Sequence, residues 1–560
     1  MSNRMACPYL ECSGCGYRIP LEKPTDSCPR CGEGWLDVIY DYERTARLWP
    51  GVLRERPWDM WRYHELLPLV DAAHRVTMGE GGTPLLRAAN LGVMMGCPNI
   101  LVKDERQGPT GSFKDRQASL STSVMREMGL TEAVVASTGN VAIAYSAYSA
   151  LAGIKLWAFL TSLVPQEKMR EVAIYGSEVI KVTGTYDETK KIAAQFAERR
   201  NLFRDRGIRS FAARESMKTV AFEVAEQLPG LMGTNQTTEQ VTWGTPDWYV
   251  QAVSGGMGPV GVWKGYRELM EMGLVQRMPK LACIQAEGCA PMVQSFRKGL
   301  REAEPVLKPR TRIITLATGS PGPAYVFLAD VIREHGGAFE AVSDEETFRA
   351  VRVMAELDGI SMERAAGVAF AGLFKLISKG VIKRDEVVVV NCSGHTFPVE
   401  KHLLGDRFAR EVKAPAAGAA VEDGLLGSLE SLDRGVRRVA ILEDDPHAAR
   451  LLRRVLQARG DYEIFGAADG LAGLEIIRRE RPDVILLDLM MPKMDGFQVL
   501  EALEADEALR GIPVVVVTAK ELSAAEKDRL GDQIYRLLEK GGFSDQDLLR
   551  EVLDALEEKA

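Results

Sequence analysis

Short apolar runs alternate with helical patterns along most of this chain, and that alternation decides the class of fold. From about residue 41 to 410 the runs include VVAS, YVQAVSGG and EVVVVNCSG, each set between stretches with helical spacing. A strand that leads into a helix before the next strand favours parallel pairing, so this part reads as a large α/β domain. After it, RRVAILED, YEIFGA, DVILLD, PVVVVTA and YRLLEK recur with helical stretches between them. That repeat is enough for one doubly wound, five-stranded parallel sheet. KAPAAGAAVEDGLLGSLESLDRG, at 413–435, is rich in Ala, Gly and acidic residues and reads as a linker. The expected division is therefore a small unit at 1–40, an α/β domain at 41–410, a linker at 411–435 and a second α/β domain at 436–560.

The first forty residues are too few to bury much of a core. They carry Cys12-x-x-Cys15 and Cys28-x-x-Cys31, each pair followed by a glycine, Gly16 or Gly32. Two such knuckles offer four thiolates to one Zn²⁺ in a closed, structural shell. The metal would supply about 10–16 kcal/mol of folding free energy. Nine cysteines is an odd number, and Cys7, Cys97, Cys283, Cys289 and Cys392 are scattered. MSNRMACPYLEC has no apolar core like that of a secretory signal. Val141 to Val164 is broken by Ser146, Ser149, Gly153 and Lys155, and reads as a helix and a buried strand, not a membrane span. Metal binding and free thiols in the cytoplasm are expected, with no membrane partner. A net charge of −8 offers no basic field for nucleic acid, and six histidines leave little room for a His-rich metal enzyme.

Three segments of the larger domain carry chemistry. In Asp104-Glu-Arg-Gln-Gly-Pro-Thr-Gly-Ser-Phe-Lys114-Asp-Arg, glycine and proline turns stand just before a lysine that starts a helical pattern. Such an amine can form a Schiff base with a carbonyl cofactor. Taken alone, it reads more readily as a first-turn lysine paired with Asp115. Ser137-Thr138-Gly139-Asn140 joins a strand to a helix, where hydroxyls and exposed N–H groups bind carboxylates. Ser254-Gly255-Gly256-Met257-Gly258 does the same and can wrap a phosphate. Together they supply a nucleophilic amine, a carboxylate nest and a phosphate cradle in one domain.

The order of the cysteine pairs, GEGGTPL, PTGSFKDR, STGN, KTVAFEV, the glycine loop with WKGYREL, and NCSGHT resembles threonine synthase over roughly residues 10 to 405. That family belongs to the fold type II pyridoxal-phosphate enzymes, which implies a catalytic part built of two α/β subdomains. The resemblance implies that Lys114 carries the cofactor and shuttles protons, and that Asn140 bonds the pyridine 3′-oxygen. Ser137 and Thr138 would hold the substrate carboxylate, and Ser254, Gly255, Gly256, Met257 and Gly258 the cofactor phosphate. Ser393 would face the pyridine nitrogen and leave it largely unprotonated, with His395 a packed neighbour. The implied reaction converts O-phosphohomoserine and water to L-threonine and phosphate, in a homodimer by analogy.

Three segments differ from the family pattern. RSFAARESM stands where the family grips substrate phosphate with Asn-Pro-x-Arg, leaving Arg209, Ser210 or Arg214 as replacements. Val141 follows STGN where the family has Thr, and Glu363-Arg-Ala-Ala-Gly367 replaces Glu-Pro-Ala-Ser-Ala. Two alternatives therefore stay open. One is β-elimination or β-replacement on serine, phosphoserine or a related amino acid; the other is an amino-acid-sensing signalling module without turnover.

In the last domain Glu443-Asp444-Asp445 ends the first expected strand, Asp488 the third, Thr518 the fourth and Lys540 the fifth. Strand ends of a parallel doubly wound sheet meet at one edge, where three carboxylates would bind Mg²⁺. The constellation resembles a response-regulator receiver over nearly all of 436–560. The resemblance implies that Asp488 accepts a phosphoryl group and holds Mg²⁺ with Glu443 and Asp444, while Thr518 and Lys540 read the phosphate. Tyr535 would be the switch aromatic, and Gly541 stands where the family usually has Pro. The implied partner is a sensor histidine kinase or phosphotransfer protein, and the implied role is regulation of the enzyme.

Overall fold

The structure, a computed structural model, describes residues 8–21, 25, 27–233, 241–395, 437–457, 462–518, 522–523, 530, 534 and 536–539. The expected linker, Cys7, Tyr535, Lys540 and Gly541 lie outside them. Strands β1 (Tyr9–Cys12), β2 (Arg18–Pro20) and β3 (Leu36–Ile39) form an antiparallel sheet with β1 in the middle. β4 (Leu85–Arg87), β5 (Ile100–Asp104), β10 (Trp248–Ala252), β11 (Lys280–Ala286), β12 (Gly337–Val342) and β13 (Val388–Cys392) make a six-stranded sheet in the order β12-β11-β10-β13-β5-β4. Only β4, at its edge, runs antiparallel. β6 (Glu132–Ser137), β7 (Lys155–Thr161), β8 (Glu178–Val182) and β9 (Phe203–Arg204) form a second parallel sheet, ordered β8-β7-β6-β9. The two sheets are the two α/β subdomains that the resemblance implies.

Eight helices matter below: α1 (Ala89–Met95), α2 (Lys114–Glu127), α3 (Asn140–Ala152), α4 (Phe211–Leu231), α5 (Met257–Glu271), α6 (Asp344–Asp358), α7 (Arg364–Ser378) and α8 (Pro446–Gln457). Burial all round explains why α2, α3 and α4 carry little helical amphipathicity in sequence: nearly every residue of α4 up to Pro229 is buried. α4 and α5 come close because α5 presents Gly261 and Gly265. A side-chain carbon on Gly265 would stand 2.7 Å from both the Ala221 Cβ and the Lys218 carbonyl oxygen.

The N-terminal sheet is fastened to this helix pair by buried charges. Asp37 on β3 lies 3.4 Å from Lys264 and 3.4 Å from Arg267, and Lys264 reaches Glu215 at 2.5 Å. Lys218 pairs with Glu215 at 2.7 Å and with Glu268 at 3.0 Å. Burial pushes the Asp37 carboxyl pKa up, but Lys264, Arg214 and Arg267 outweigh it and hold the pKa far below the carboxylate range.

β14 (Arg437–Leu442), β15 (Tyr462–Ala467), β16 (Val484–Leu487), β17 (Val514–Thr518) and β18 (Arg536–Glu539) form a five-stranded parallel sheet in the order β15-β14-β16-β17-β18. This is the doubly wound order with its switch point between β14 and β16. Its first helix, α8, packs against α1 and α6 of the larger domain. Leu451, Leu452, Val455 and Leu456 join Leu91, Met94, Met95, Val351 and Met354 in one continuous buried cluster. The stretch Val141–Val164 falls on α3 and β7, as expected from its breaks. Among the described residues, no helix is long and apolar enough to cross a membrane.

The helix contact yields a direct test. Gly265→Ala should force α4 and α5 apart and cost about 1–3 kcal/mol, the usual effect of overpacking. A thermal melt should stay cooperative with a lower midpoint; an unchanged midpoint would mean the two helices are not seated this closely.

Candidate active site

Lys114 is the first residue of α2, and the loop before it is zipped to the end of β13. The Phe113 N–H donates to the Ser393 carbonyl at 3.0 Å and the His395 N–H to the Gly111 carbonyl at 2.9 Å. A single bridge links Ser112 to Gly394. PTGSFK and NCSGH, far apart in sequence, are therefore one structural feature. Asp115 does not partner the lysine: its carboxylate accepts from the Thr110 hydroxyl at 2.6 Å and the Thr110 N–H at 3.0 Å. Two residues on, Arg116 is wholly buried between Glu105 at 2.8 Å and Glu223 at 2.5 Å.

Lys114 faces a cavity of about 240 Å³ between the two sheets of the domain. Ser137, Thr138, Asn140, Ser254, Gly255, Gly256, Met257, Gly258 and Ser393 all line it. These residues come from the C-terminal ends of parallel strands and the helix starts that follow, where such folds collect ligand groups. Burial lowers the Lys114 amine pKa to about 8, against the opposing pull of Asp205 and Glu363. Nothing lies within 4 Å of where a Gly255 side chain would stand, so the loop offers bare backbone to the cavity just ahead of α5. An activated amine facing a glycine cradle at a helix start is the donor set that pyridoxal phosphate requires.

The Ser137 hydroxyl is engaged locally, accepting from the Gly139 N–H at 3.0 Å and the Ala142 N–H at 3.1 Å. It braces the turn, while the Thr138 hydroxyl donates to the Thr315 carbonyl at 3.3 Å. Ser254 and Thr318 share a hydrogen bond of 2.7 Å. Asn140 donates to both carboxylate oxygens of Glu363, at 2.9 and 2.8 Å, and accepts from Lys168 at 2.7 Å. Ser393 reaches Glu363 at 3.5 Å.

Several residues of the site carry no motif signal. Lys168 and Glu363 meet only through tertiary placement. Lys190, Arg204, Asp205 and Arg206 form a charged stretch of the cavity wall. Asp205 is buried there, accepting from Tyr145 at 2.5 Å and from the Gly207 N–H at 2.6 Å. The expectation that Arg209, Ser210 or Arg214 grips a substrate phosphate is not met. Arg214 is buried under Trp35, 4.5 Å from its ring centroid, and donates to the carbonyls of Ile208, at 2.7 Å, and Leu36. Arg209 lies beside Gly34, and the Ser210 hydroxyl accepts from the Arg206 N–H at 2.8 Å. Arg209 and Arg214 face the N-terminal unit, leaving the cavity to Arg204 and Arg206. Val141 does line the cavity, as its position after STGN implies.

The sulfurs of Cys12, Cys15, Cys28 and Cys31 all lie within 4.8 Å of one another. Cys12–Cys31 is 3.5 Å and Cys15–Cys28 is 3.7 Å. Four sulfurs around one Zn²⁺ at about 2.3 Å would stand roughly 3.8 Å apart, so the geometry suits that ion. Both knuckles use the same turn: the Gly16 and Gly32 N–H groups donate to the carbonyls of Cys12 and Cys28, with φ of 67° and 78°. In the last domain, ligand oxygens of Glu443, Asp444 and Asp488 also lie within 4.8 Å of one another. Thr518, buried at the end of β17, belongs to the same sheet edge.

A family model described as pyridoxal-phosphate dependent enzyme matches residues 76–394, and one described as response regulator receiver domain matches 439–553. A threonine synthase of Methanocaldococcus jannaschii is 35% identical over 386 residues, covering 69% of this chain and 91% of that protein. One from Methanosarcina acetivorans is 33% identical over 388 residues, with coverage of 69% and 91%. Among solved structures, the processed form of threonine deaminase isoform 2 from Solanum lycopersicum matches with a TM-score of 0.48 and 20% identity, over 58% of this chain and 83% of that one. The chain belongs to the fold type II pyridoxal-phosphate dependent enzymes. Within that class it is a lyase similar to threonine synthases, joined to a response-regulator receiver domain.

The lowered amine pKa has a measurable consequence. Only the neutral amine attacks a carbonyl, so covalent loading of pyridoxal phosphate by the cofactor-free protein should accelerate with pH and level off near pH 8. An ordinary lysine would continue to about 10.4. Glu363→Gln removes a carboxylate that favours the ammonium form, so its profile should shift to lower pH. Stopped-flow absorbance would read both curves.

Proposed function

We propose that this enzyme converts O-phosphohomoserine and water to L-threonine and phosphate. The observation that carries the reading is the lining of one cavity, which combines Lys114 and the glycine loop with the basic side chains Lys190, Arg204 and Arg206. A substrate with an amino acid at one end and a phosphate at the other suits such a site, and relatives at 35% and 33% identity are threonine synthases.

Bound pyridoxal phosphate supplies the electron sink for a carbanion at the substrate α-carbon. Lys114 anchors it and then moves protons: it takes the α-proton and returns a proton as the electrons shift along the chain. A β-proton is lost next, and its bonding electrons let phosphate leave the γ-carbon with its own pair. The two protons return to the γ- and α-carbons, and water adds its hydroxyl at the β-carbon, its remaining proton going to the phosphate. Asn140, held by Glu363 and Lys168, and Ser393 orient the ring at its edge. Ser254, Gly255, Gly256, Met257 and Gly258 hold the cofactor phosphate through backbone N–H groups and the Ser254 hydroxyl. Thr138, on a turn braced by Ser137, receives the substrate carboxylate. Arg204 and Arg206 take the role that the family gives to Asn-Pro-x-Arg.

Phosphate release with matching threonine formation should be lost by at least 1,000-fold in Lys114→Ala, roughly the weight of a proton-transfer group. Arg206→Ala should raise KM for O-phosphohomoserine about tenfold or more with kcat nearly kept, the signature of lost ground-state binding. Val141 in the cavity favours the second reading, elimination or replacement on serine or phosphoserine. Pyruvate from those substrates without phosphate release from O-phosphohomoserine would select it.

The four cysteines hold a structural Zn²⁺, and the acidic cluster holds Mg²⁺ beside Asp488, the phosphoryl acceptor, with Thr518 and Lys540 reading the phosphate. None of the eight described cysteines is in a disulfide, and the four outside the metal shell are free thiols, which suits the cytoplasm. A sensor histidine kinase or phosphotransfer protein supplies the phosphoryl group, and the enzyme works as a homodimer. Metal analysis should find one zinc per chain, lost in Cys28→Ser together with protection of β1 and β3 from hydrogen exchange. A full complement of protection without zinc would refute the structural role.

A further inference from the structure

We propose that α8 is the element through which the receiver grips the catalytic domain, and that it links the acidic cluster to Glu363. The linkage half rests on reading that cluster as the phosphoryl-acceptor site; the gripping half does not.

Each connection is a short, buried or hydrogen-bonded contact. The Asp445 N–H donates to Glu443, a member of the cluster, at 3.3 Å. Asp445 in turn caps α8, accepting from the His447 N–H at 2.8 Å through its side chain and from the Ala449 N–H at 2.9 Å through its carbonyl. α8 then seats its leucines and valine among Leu91, Met94 and Met95 of α1 and Val351 and Met354 of α6. Leu451, Leu452, Val455 and Leu456 are each at most 7% exposed, so this helix is covered on more than the side that faces its own sheet.

α1 and α6 are tied end to end by hydrogen bonds. Asp358, the last residue of α6, accepts from the Asn90 and Leu91 N–H groups at 3.1 and 3.0 Å, standing in for the side-chain cap that Ala88 cannot provide. The Asn90 side chain donates back to the Leu357 carbonyl at 2.7 Å. Five residues beyond Asp358 is Glu363, which holds Asn140 and reaches Ser393. The connecting segment is pinned by Arg106, which donates to the Ser361 carbonyl at 2.7 Å while pairing with Asp104 at 2.6 Å. A change in how α8 seats therefore reaches the residue that positions Asn140 without crossing solvent. Glu363 is a positioning residue on this route, and the two-state element is the seating of α8.

The test is hydrogen exchange on the full-length chain in Mg²⁺, with each variant read on the opposite domain. Leu452→Lys should raise exchange over 344–358 at least fivefold, and Met94→Lys should do the same over 446–457. In both, strands 248–252 and 484–487 should keep their protection, showing that the two sheets stay folded. If Leu452→Lys unfolds the receiver strand, Met94→Lys decides, since its burden falls on the other domain. Unchanged exchange across the contact, with both sheets protected, overturns the docking. Beryllofluoride, a phosphoryl mimic, should then alter 446–457 and 344–363 together in the native chain, and only the former in Leu452→Lys. A beryllofluoride signal confined to the receiver of the native chain overturns the linkage. No signal anywhere in the receiver refutes the acceptor reading of the acidic cluster, and the reciprocal variants alone then decide the docking.

Discussion

The catalytic domain is organised around one guanidinium. Arg116 is buried, which lowers its pKa; Glu105 and Glu223 outweigh that and hold it well above its ordinary value. Lys103 reaches Glu223 at 2.7 Å and Thr83 reaches Glu105 at 2.6 Å, so the group is satisfied on every side. A buried ion network of this kind gives little net stability but penalises any arrangement that breaks it. Its members come from the loop before β4, the end of β5, the start of α2 and the middle of α4. The register of α2 is fixed by that penalty, and with it the place of Lys114 two residues earlier.

From this anchor the cavity follows. α2 leaves the end of β5, and the loop between them is tied to the end of β13, so the amine and Ser393 are set by one backbone zipper. The glycine loop comes from the next strand in the same sheet, while Ser137 to Asn140 come from the other sheet. The cavity is therefore a seam between two sheets, and Glu363, on the first, holds Asn140, on the second. That hydrogen bond, not chain continuity, closes the site.

Much of this was readable before any coordinates. Lys114, Asn140 and the 254–258 loop sit in strand-to-helix turns and Ser393 directly follows a strand; their glycines and hydroxyls are a local signal, and the topology brings local signals of that kind to one edge. The cysteine pairs are legible for the same reason, since each knuckle is a four-residue turn. Lys168, Arg204 and Arg206 were not, and Glu363 stood out only as the start of a variant stretch, not as the partner of Asn140. Arg204 ends a two-residue strand too short for any period, and Lys168 lies on a helix whose pattern only says which side is wet. Arg214 was misplaced because the text of a helix does not say which neighbour its long side chains meet; here it is Trp35 of the N-terminal unit. The two-sheet division comes only with the family resemblance, because alternating strands and helices look alike whether they build one sheet or two.

The seating of α8 changes what α1 is. In an enzyme that ended at the catalytic domain, the side of α1 that meets α8 would face solvent. Joined to the receiver, Met94 and Met95 are 6% and 4% exposed and answer to two domains at once. A substitution on this face is thus constrained by both, and the domain fusion would leave its trace there, outside both functional sites.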